Sequence, residues 1–426
     1  MWKKPKILML GWEYPPYFNG GLGVACQGLV KAISPFTRLT MIVPKTGVFP
    51  DNEQVKLIGL NELGAVTKAE TSEWVEQQWE TLWVDTFLNP YETEKAPVQV
   101  ASEKKLSKTE LTSYANPFVE EALYEGDLRK RVMDYTRIVL EQVKGKEFDL
   151  IHAHDWMTFP AALALQAATG KPLIVHLHST EYDRAGKDSK GWVYQMEKEA
   201  MEKADFVIPV SQYAANILTE HYKIEATKIH PIHNAIDKKQ AFKSEKSFKE
   251  RLVAFVGRIT YQKGPDTFLK IAMKVLEQHD NVRFVMAGRG DMQDALMEEV
   301  IKHRISHRFH FAGFLEKAEV EKLLSMADVF VMPSVSEPFG IAALEAAQFG
   351  VPCIISRQAG CLEILTAALT ADSQDVELMA DYILELLHSA SLSEEIGRIN
   401  QASVQALSWE KVGTKVLEVY EKALGK

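Results

Sequence analysis

The chain has 426 residues, of which 46% are hydrophobic and 25% charged, and its formal net charge is −9. This composition is typical of a globular protein that buries a large core. The negative charge argues against nucleic acid as a partner and against an enzyme held on an anionic membrane.

Neither a membrane span nor a disulfide framework is predicted. No stretch reaches the roughly eighteen apolar residues that cross a bilayer. The start resembles a signal peptide, but the apolar run at residues 7–10 is too short for one. Cys26, Cys353 and Cys361 have no metal-binding spacing, and their odd number disfavours a disulfide framework. We therefore expect a cytoplasmic protein without stable membrane insertion.

Short apolar runs alternate along the chain with longer helical stretches such as 192–203 and 265–278. The runs are rich in Val and Ile, as strands covered on both faces usually are. The predicted strands are residues 6–10, 39–43, 149–153, 173–177, 206–210, 252–256, 282–287, 309–312, 329–332 and 352–356. This alternation indicates an α/β fold with doubly wound parallel sheets. About ten strands are too many for one compact domain, so two sheets are expected.

The predicted boundary between the two halves is a polar, Lys-rich stretch at residues 237–246, closely followed by a new strand. An N-terminal domain is expected at residues 1–240 and a C-terminal domain at residues 248–408. The irregular residues 70–115 are interpreted as an inserted surface loop or lid. The final segment, 409–426, carries a helical apolar stripe formed by Val412, Val416, Val419, Tyr420 and Leu424.

Glu337 and Glu345 belong to the most informative motif, a predicted strand–turn–helix with a Pro-Phe-Gly turn between the two carboxylates. Ligands bind at this end of strands in open α/β sheets, and a helix N-terminus suits a phosphate. Glu345 is expected about two turns into the helix, about 12 Å from Glu337 along its axis. One ligand could touch both only if it were long, such as a sugar joined through a diphosphate to a ribose. The alternative is a solvated helix residue at position 345.

Glycines and cations also follow predicted strands. Gly20 and Gly21 stand between the first strand and a helix, where glycines let backbone approach a phosphate; a structural tight turn is the alternative. Gly288 lies in a similar turn, which is weak evidence alone. Arg258 and Lys263 could clamp a diphosphate and stabilise its charge as a bond to it breaks, unless they are simply solvated.

Two polar motifs contain histidine. His152 and His154 could bind a metal, but two ligands do not make a zinc site and no third is evident in the sequence. A single histidine beside Asp155 could instead orient substrate hydroxyls or hold a sugar ring. The second motif, residues 176–184, suits a carbohydrate, although capping of the next helix is the alternative, and its candidate sugar contacts are His178, Ser179, Thr180, Glu181 and Tyr182.

In this order along the chain, these motifs resemble those of the retaining GT-B glycosyltransferases of family four, most closely the glycogen-synthase-like members. The resemblance covers nearly the whole chain and includes residues 233–237 around Asn234. It implies two Rossmann-like domains that face each other across a cleft. The N-terminal domain would bind the acceptor and the C-terminal domain the nucleotide-sugar, with the final helix packed back on the first domain.

The resemblance also implies a role for each motif. Arg258 and Lys263 would hold the diphosphate, Glu337 the donor sugar and Glu345 the ribose hydroxyls, while His154 would contact the sugar near the reacting carbon. Glu337, His154, Arg258 and Lys263 are thus the candidate catalytic residues. Further donor contacts would be Gly20, Gly21, Gly288, Phe339, Gly340 and Ile341. Acceptor or sugar contacts would be Asp155, His178, Ser179, Thr180, Glu181, Tyr182 and Asn234.

The implied reaction moves glucose from UDP-glucose or ADP-glucose to the non-reducing end of an α-1,4-glucan, with no cofactor and no bound metal. No Asp-x-Asp motif follows a predicted strand, which agrees with a metal-free reaction. Phe18 stands where neighbouring bacterial synthases carry a lysine, so the donor base stays open. The alternatives are an enzyme that acts on a lipid, sugar-phosphate or small-metabolite acceptor, and a non-catalytic glucan-binding protein.

Overall fold

The computed structural model describes residues 4–17, 20–47, 55–63, 66–67, 113–114, 116–120, 123–124, 126–239 and 242–425. Most of the predicted insertion at 70–115 lies outside the described residues, and so do Phe18 and positions 240 and 241 of the predicted boundary. In the described part, strands and helices alternate along most of the chain, as the sequence predicts.

The first half of the chain builds a six-stranded sheet with helices on both faces. Its sheet has the strand order β3-β2-β1-β6-β7-β8, and every pair of neighbours is parallel. The elements are β1 (Lys6–Leu10), α1 (Gly21–Ile33), β2 (Arg38–Val43), β3 (Val55–Gly59), β4 (Val66–Thr67), β5 (Ser113–Tyr114), α2 (Pro117–Glu120), α3 (Leu128–Val143), β6 (Leu150–His154), α4 (Phe159–Thr169), β7 (Leu173–Leu177), α5 (Glu181–Ala185), α6 (Trp192–Lys203), β8 (Phe206–Pro209) and α7 (Gln212–Glu220). β4 and β5 form a separate antiparallel pair.

The second half repeats this architecture with the strand order β11-β10-β9-β12-β13-β14, again with parallel neighbours. Its elements are β9 (Arg251–Val256), α8 (Pro265–Leu276), β10 (Val282–Ala287), α9 (Gln293–Lys302), β11 (Phe309–Gly313), α10 (Lys317–Met326), β12 (Val329–Met332), α11 (Ile341–Gln348), β13 (Cys353–Ser356), β14 (Leu369–Ala371), α12 (Val376–His388), α13 (Ala390–Gln405) and α14 (Trp409–Ala423). The prediction of two doubly wound parallel sheets is therefore confirmed.

The order of the strands determines where the candidate site lies in each sheet. In each sheet the direction of winding reverses between two central strands, β1 and β6 in the first and β9 and β12 in the second. Ligands bind in the crevice that this reversal opens at the carboxyl ends of the strands. The loops that follow these four strands carry Gly21, Asp155, Lys263 and Glu337, which belong to four of the motifs seen in the sequence.

Two edge strands were missed in the sequence, β3 and β14. β3 is only partly buried and carries an exposed Lys56, and β14 has only three residues. The central strands were found more easily because helices cover both of their faces. All residues of β6, β7, β12 and β13 are buried, so their apolar runs are nearly continuous.

The last helix, α14, returns from the second half and packs against α1 of the first. Its apolar stripe, which includes Val416 and Tyr420, joins the core beneath β1 and β2. Small residues permit a close approach of the two helices, because a Cβ on Gly413 would lie 2.8 Å from the Cβ of Ala32. None of the helices in the described residues is long and apolar enough to cross a membrane.

Gly28 supplies a test of this helix contact. A Cβ at this position would come within 2.1 Å of the Trp409 indole. We expect Gly28→Ala to lower the free energy of unfolding by about 1–3 kcal/mol through overpacking, as measured by urea denaturation. The double variant Gly28→Ala/Trp409→Leu should recover much of that loss, because it makes room for the new methyl group. A Gly28→Ala variant of unchanged stability would contradict the close packing of α1 and α14.

Candidate active site

Lys263 and Glu337 lie together where β9 and β12 end. The Lys263 Nζ is 2.5 Å from Oε2 of Glu337, and the two side chains are only 19% and 8% exposed. Ser334 donates a weaker hydrogen bond to the same carboxylate oxygen at 3.4 Å. The charge of Lys263 is therefore directed at Glu337 in a partly dehydrated site, where electrostatic interactions are stronger than in water.

Arg258 reaches the same loop through an amide side chain. Its Nη2 donates to Oε1 of Gln262 at 3.2 Å, and Nε2 of Gln262 donates to the carbonyl of Ser336 at 3.1 Å. Gly288 closes the back of this loop. Its φ of +141° is rare for other residues, and a Cβ there would lie 1.8 Å from the carbonyl oxygen of Gly257. The structure thus gathers the residues predicted to hold a diphosphate.

The N-terminus of α11 lies at the same site. Gly340 turns the chain into the helix with φ +94°, which favours glycine. The first amides of a helix have no partner within it and attract anions, and here they belong to Ile341 and its neighbours. Gly21 of the first half lies opposite, because a Cβ on it would be 3.0 Å from Cδ1 of Ile341. The two predicted phosphate-binding turns therefore face each other.

Glu345 is one turn into α11, because the helix begins only at Ile341. The expectation of two turns was wrong, since the residues between Glu337 and Gly340 form an extended turn. Glu345 is half-buried, and burial raises the pKa of its carboxyl to about 7, with Lys317 opposing the shift and Glu321 adding to it. The charges of Lys317 and Glu321 place this carboxyl near α10.

Four histidines form a stack at the ends of β6 and β7. Neighbouring rings of His152, His154, His176 and His178 have centroids 4.4–5.4 Å apart. Nδ1 of His154 lies 3.1 Å from Nε2 of His178, and Nε2 of His152 lies 3.3 Å from Nδ1 of His176. The Tyr420 hydroxyl of α14 is 2.6 Å from Nδ1 of His152.

Burial keeps this stack uncharged. It lowers the pKa of His152 and of His178 to about 3, and it lowers the pKa values of His154 and His176 well below the usual range. Nε2 of His154 is buried without a hydrogen-bond partner. A neutral imidazole with a spare nitrogen suits contact with a sugar hydroxyl, which is the kind of role predicted for His154.

Side chains that could bind a metal lie closer together in the structure than their positions in the sequence indicate. Two groups have ligand atoms within 4.8 Å of one another, His152 with His154 and His176, and Cys26 with His154 and His178. A third potential ligand, which was not evident in the sequence, is thus supplied by His176 of the neighbouring strand β7 or by Cys26 of α1. The ring nitrogens are, however, partly engaged with one another, and the rings of His152 and His176 are stacked with an interplanar angle of 3°.

Asp155 holds the two neighbouring loops together. It has φ +57°, unusual for a residue other than glycine, and its Oδ1 accepts a hydrogen bond from the backbone amide of His178 at 2.8 Å. Burial raises the pKa of this carboxyl to about 7, although the amides of His178 and Ser179 oppose the shift. Its hydrogen bonds therefore position the second polar motif.

The polar motif after β7 is largely occupied by contacts within the protein. Thr180 caps α5, and its amide and hydroxyl donate to Oδ2 of Asp183 at 2.7 and 2.8 Å. Glu181 is buried and accepts a hydrogen bond from Ser189. Tyr182 packs its ring against His221. The capping alternative thus describes Thr180, and the acceptor-binding roles of Thr180, Glu181 and Tyr182 stay predictions.

Ser179 and Asn234 are better placed for a ligand. The Ser179 hydroxyl is buried without a hydrogen-bond partner. Asn234 is buried and directly follows His233, whose ring stacks on Phe339 with centroids 5.8 Å apart. His178 is half-buried beside Ser179. These three predicted sugar contacts therefore lie in or next to the region where the two halves meet.

Comparison with known proteins agrees with this geometry. The model for glycosyl transferases group 1 matches residues 237–403, and that for Glycosyltransferase Family 4 matches residues 111–240. An uncharacterized glycosyltransferase of Methanocaldococcus jannaschii is 26% identical over 98% of both chains. A glycogen synthase of Mycobacterium tuberculosis is 30% identical over 64% of this chain and 68% of its own length. The chain is a family-four glycosyltransferase.

Solved structures show that the glycosyltransferase has the GT-B fold. Sucrose-phosphate synthase from Thermosynechococcus elongatus superposes with a TM-score of 0.71, at 18% identity over 99% of both chains. The catalytic domain of starch synthase IV from Arabidopsis thaliana superposes with a TM-score of 0.69, at 18% identity over the full length of both. The predicted family, fold and hexosyltransferase class are thus confirmed.

Several residues at the site of the glycosyltransferase were given no role of their own from the sequence. They are His176, Asp183, Gln262, Ser336 and Glu363. Glu363 accepts hydrogen bonds from the first two amides of α7 and lies 2.6 Å from Nε2 of His233. Four of them stand inside recognised motifs, which was a signal for His176, Asp183, Gln262 and Ser336. Glu363 lies outside these motifs, and its partners Gln212, Tyr213 and His233 are distant in sequence, so no local pattern could reveal it.

The histidine stack predicts acid sensitivity. Burial lowers the pKa of His176 in the folded protein. Below the ordinary histidine pKa of about 6.5, the unfolded chain therefore binds a proton at His176 whereas the folded chain does not. The folded state consequently loses stability as the pH falls. Between pH 6 and 5, His176→Phe should reduce the slope of unfolding free energy against pH by up to about 1.4 kcal/mol per pH unit. Urea denaturation at several pH values measures this. Exposed His307→Gln is the control, and an unchanged slope in His176→Phe would contradict the burial of a neutral ring.

Proposed function

We propose that the glycosyltransferase transfers glucose from UDP-glucose or ADP-glucose to the non-reducing end of an α-1,4-glucan, with retention at the anomeric carbon. The observation that carries the proposal is the meeting of Arg258, Lys263 and the N-terminus of α11 beside Glu337. Cations and helix amides are the groups that stabilise a departing diphosphate, and Glu337 is placed to accept hydrogen bonds from the donor sugar.

Relatives support the choice of substrates. The starch synthase IV structure contains ADP and acarbose, and the structure of HepE from Anabaena contains UDP and glucose. The Mycobacterium tuberculosis relative is named glycogen synthase. Other relatives are named D-inositol 3-phosphate glycosyltransferase and alpha-maltose-1-phosphate synthase, which makes a sugar phosphate the second candidate acceptor.

In the proposed mechanism the donor diphosphate lies between the Arg258–Lys263 loop and the N-terminus of α11. The Lys263 ammonium contacts both Glu337 and the phosphate while the bond between the phosphate and the anomeric carbon breaks. Each such contact is expected to stabilise the transition state by about 3–4 kcal/mol. No separate general base is assigned, so the departing phosphate takes the proton of the acceptor hydroxyl on the same face. Neutral His154 contacts the sugar without adding charge.

A matrix of donors and acceptors tests the proposal. UDP-glucose and ADP-glucose are each incubated with glycogen, D-inositol 3-phosphate, glucose 1-phosphate or buffer, and the released nucleotide is measured. We expect release that depends on glycogen with at least one donor. Radiolabelled glucose added to glycogen should be removed by β-amylase, which requires α-1,4 linkages at non-reducing ends. Transfer only to a sugar phosphate would replace the first proposal with the second, and no release that depends on an acceptor would contradict both.

Substitution of the diphosphate-holding residues tests the mechanism. Lys263→Ala and Arg258→Ala should each lower kcat by about 100-fold or more, because each removes a charge-assisted contact to the leaving group. Loss of Lys263 also leaves Glu337 buried without its cation, so Lys263→Met/Glu337→Gln is included as a neutral pair of similar size. The control is Lys270→Ala, which changes an exposed side chain of α8, and circular dichroism checks folding. Near-normal turnover in both single variants would contradict the assignment.

A further inference from the structure

A buried hydrogen bond joins the donor loop of the second half to the polar motif of the first. The Ser336 hydroxyl donates to Oδ1 of Asp183 at 2.5 Å, and the Tyr213 hydroxyl lies 3.0 Å from the same serine oxygen. Ser336 is 3% exposed and Asp183 is 2% exposed. Ser336 immediately precedes Glu337, so the contact lies one residue from the carboxylate that is proposed to bind the donor sugar.

On the donor side, Ser336 is tied to the residues proposed to hold the diphosphate. Its carbonyl accepts from Nε2 of Gln262, whose Oε1 accepts from Arg258. The backbone amide of Val335 donates to the carbonyl of Gln262 at 2.9 Å. Gln262 is itself buried, which leaves little room for alternative hydrogen bonds. The link from Ser336 to Gln262 and Arg258 thus runs through the backbone carbonyl of Ser336, which is retained when the serine hydroxyl is removed.

On the acceptor side, Asp183 is tied to the segment that carries the candidate sugar contacts. Its other carboxylate oxygen accepts two hydrogen bonds from Thr180, one from the amide and one from the hydroxyl. Thr180 directly follows Ser179, and the amides of His178 and Ser179 donate to Asp155 beside His154. A continuous series of hydrogen bonds and short chain segments thus runs from Arg258 to the histidine stack.

We propose that Ser336 and Asp183 are positioning residues that couple the acceptor-side loop, residues 178–183, to the donor-side loop, residues 333–340. This inference rests on the proposed function, because it assigns the two loops to acceptor and donor. The Ser336 hydroxyl has its two partners, Asp183 and Tyr213, in the first half of the chain, whereas its backbone belongs to the second. The bond therefore forms only when the two halves of the chain meet at these residues.

A positioning role differs from simple adhesion between the halves. If the hydrogen bond only held the two halves together, its loss would lower the stability of the protein and weaken the binding of every ligand to a similar extent. Coupling should spare the affinity for the diphosphate, because Arg258, Lys263 and the N-terminus of α11 remain in Ser336→Ala. It should instead lower the rate of transfer, since the reacting groups of the two loops are no longer held together, and such rates are very sensitive to geometry.

Kinetics and calorimetry test this difference. Ser336→Ala should lower kcat for transfer to glycogen at least tenfold, while the Kd of UDP or ADP, measured by calorimetry, changes less than twofold. Ser325→Ala is the matched control, because its buried hydroxyl lies 2.8 Å from Ser244 outside this series. Asp183→Asn, which can still bond both Thr180 and Ser336, should keep more activity than Asp183→Ala. Wild-type kcat in Ser336→Ala, or equal losses of kcat and nucleotide affinity, would overturn the proposal.

Hydrogen exchange tests the coupling without any assumption about the acceptor. Backbone amides of residues 178–185 should exchange faster in unliganded Ser336→Ala than in the wild type or Ser325→Ala, by about tenfold, because the loop has lost its tie to the second half. Equal exchange in all three proteins would overturn the coupling. If the wild type transferred no sugar to glycogen but Ser336→Ala showed faster exchange, the proposed function would fail while the coupling between the loops stood.

Discussion

Parallel strand order is the constraint on which the rest of this structure depends. Because neighbouring strands in each sheet run in one direction, all of their carboxyl ends lie on one edge, and the winding reverses between β1 and β6 and between β9 and β12. The segments after these four strands carry glycine turns, cations and carboxylates from positions more than 300 residues apart, and the stacked histidines lie beside them in β6, in β7 and directly after β7. α14 then packs on α1, so the chain that leaves the second sheet also stabilises the first.

Burial determines the charge of the site more than residue type does. The four stacked histidines are held neutral, and the carboxyls of Asp155 and Glu345 have raised pKa values. In the proposed mechanism the positive charge that stabilises a diphosphate therefore comes from Arg258, Lys263 and the dipole of α11, not from imidazolium groups. This division suits a glycosyltransferase, since the sugar requires hydrogen-bond partners whereas the leaving group requires charge.

The sequence was most informative where burial is complete. Central strands such as β6 and β12 were recognised because helices on both faces demand continuous apolar runs, whereas the half-exposed β3 and the short β14 were missed. Motifs at strand ends were found because glycine, charge and aromatic residues depart there from the core pattern. The Pro-Phe-Gly turn before α11 was recognised, but Glu345 was placed two turns into the helix, whereas it lies only four residues after the first helical residue, Ile341.

The sequence by itself determined the α/β class, two sheets and the resemblance to family-four glycosyltransferases, because periodicity and local motifs are properties of short segments. Tertiary structure alone decided which motifs meet. It paired Lys263 with Glu337, joined Ser336 to Asp183 across 153 positions, and stacked four histidines from two strands. It also set the protonation of these groups. Distances between remote residues and the loss of water around them arise only when the sheets have formed and packed, so no local pattern encodes them.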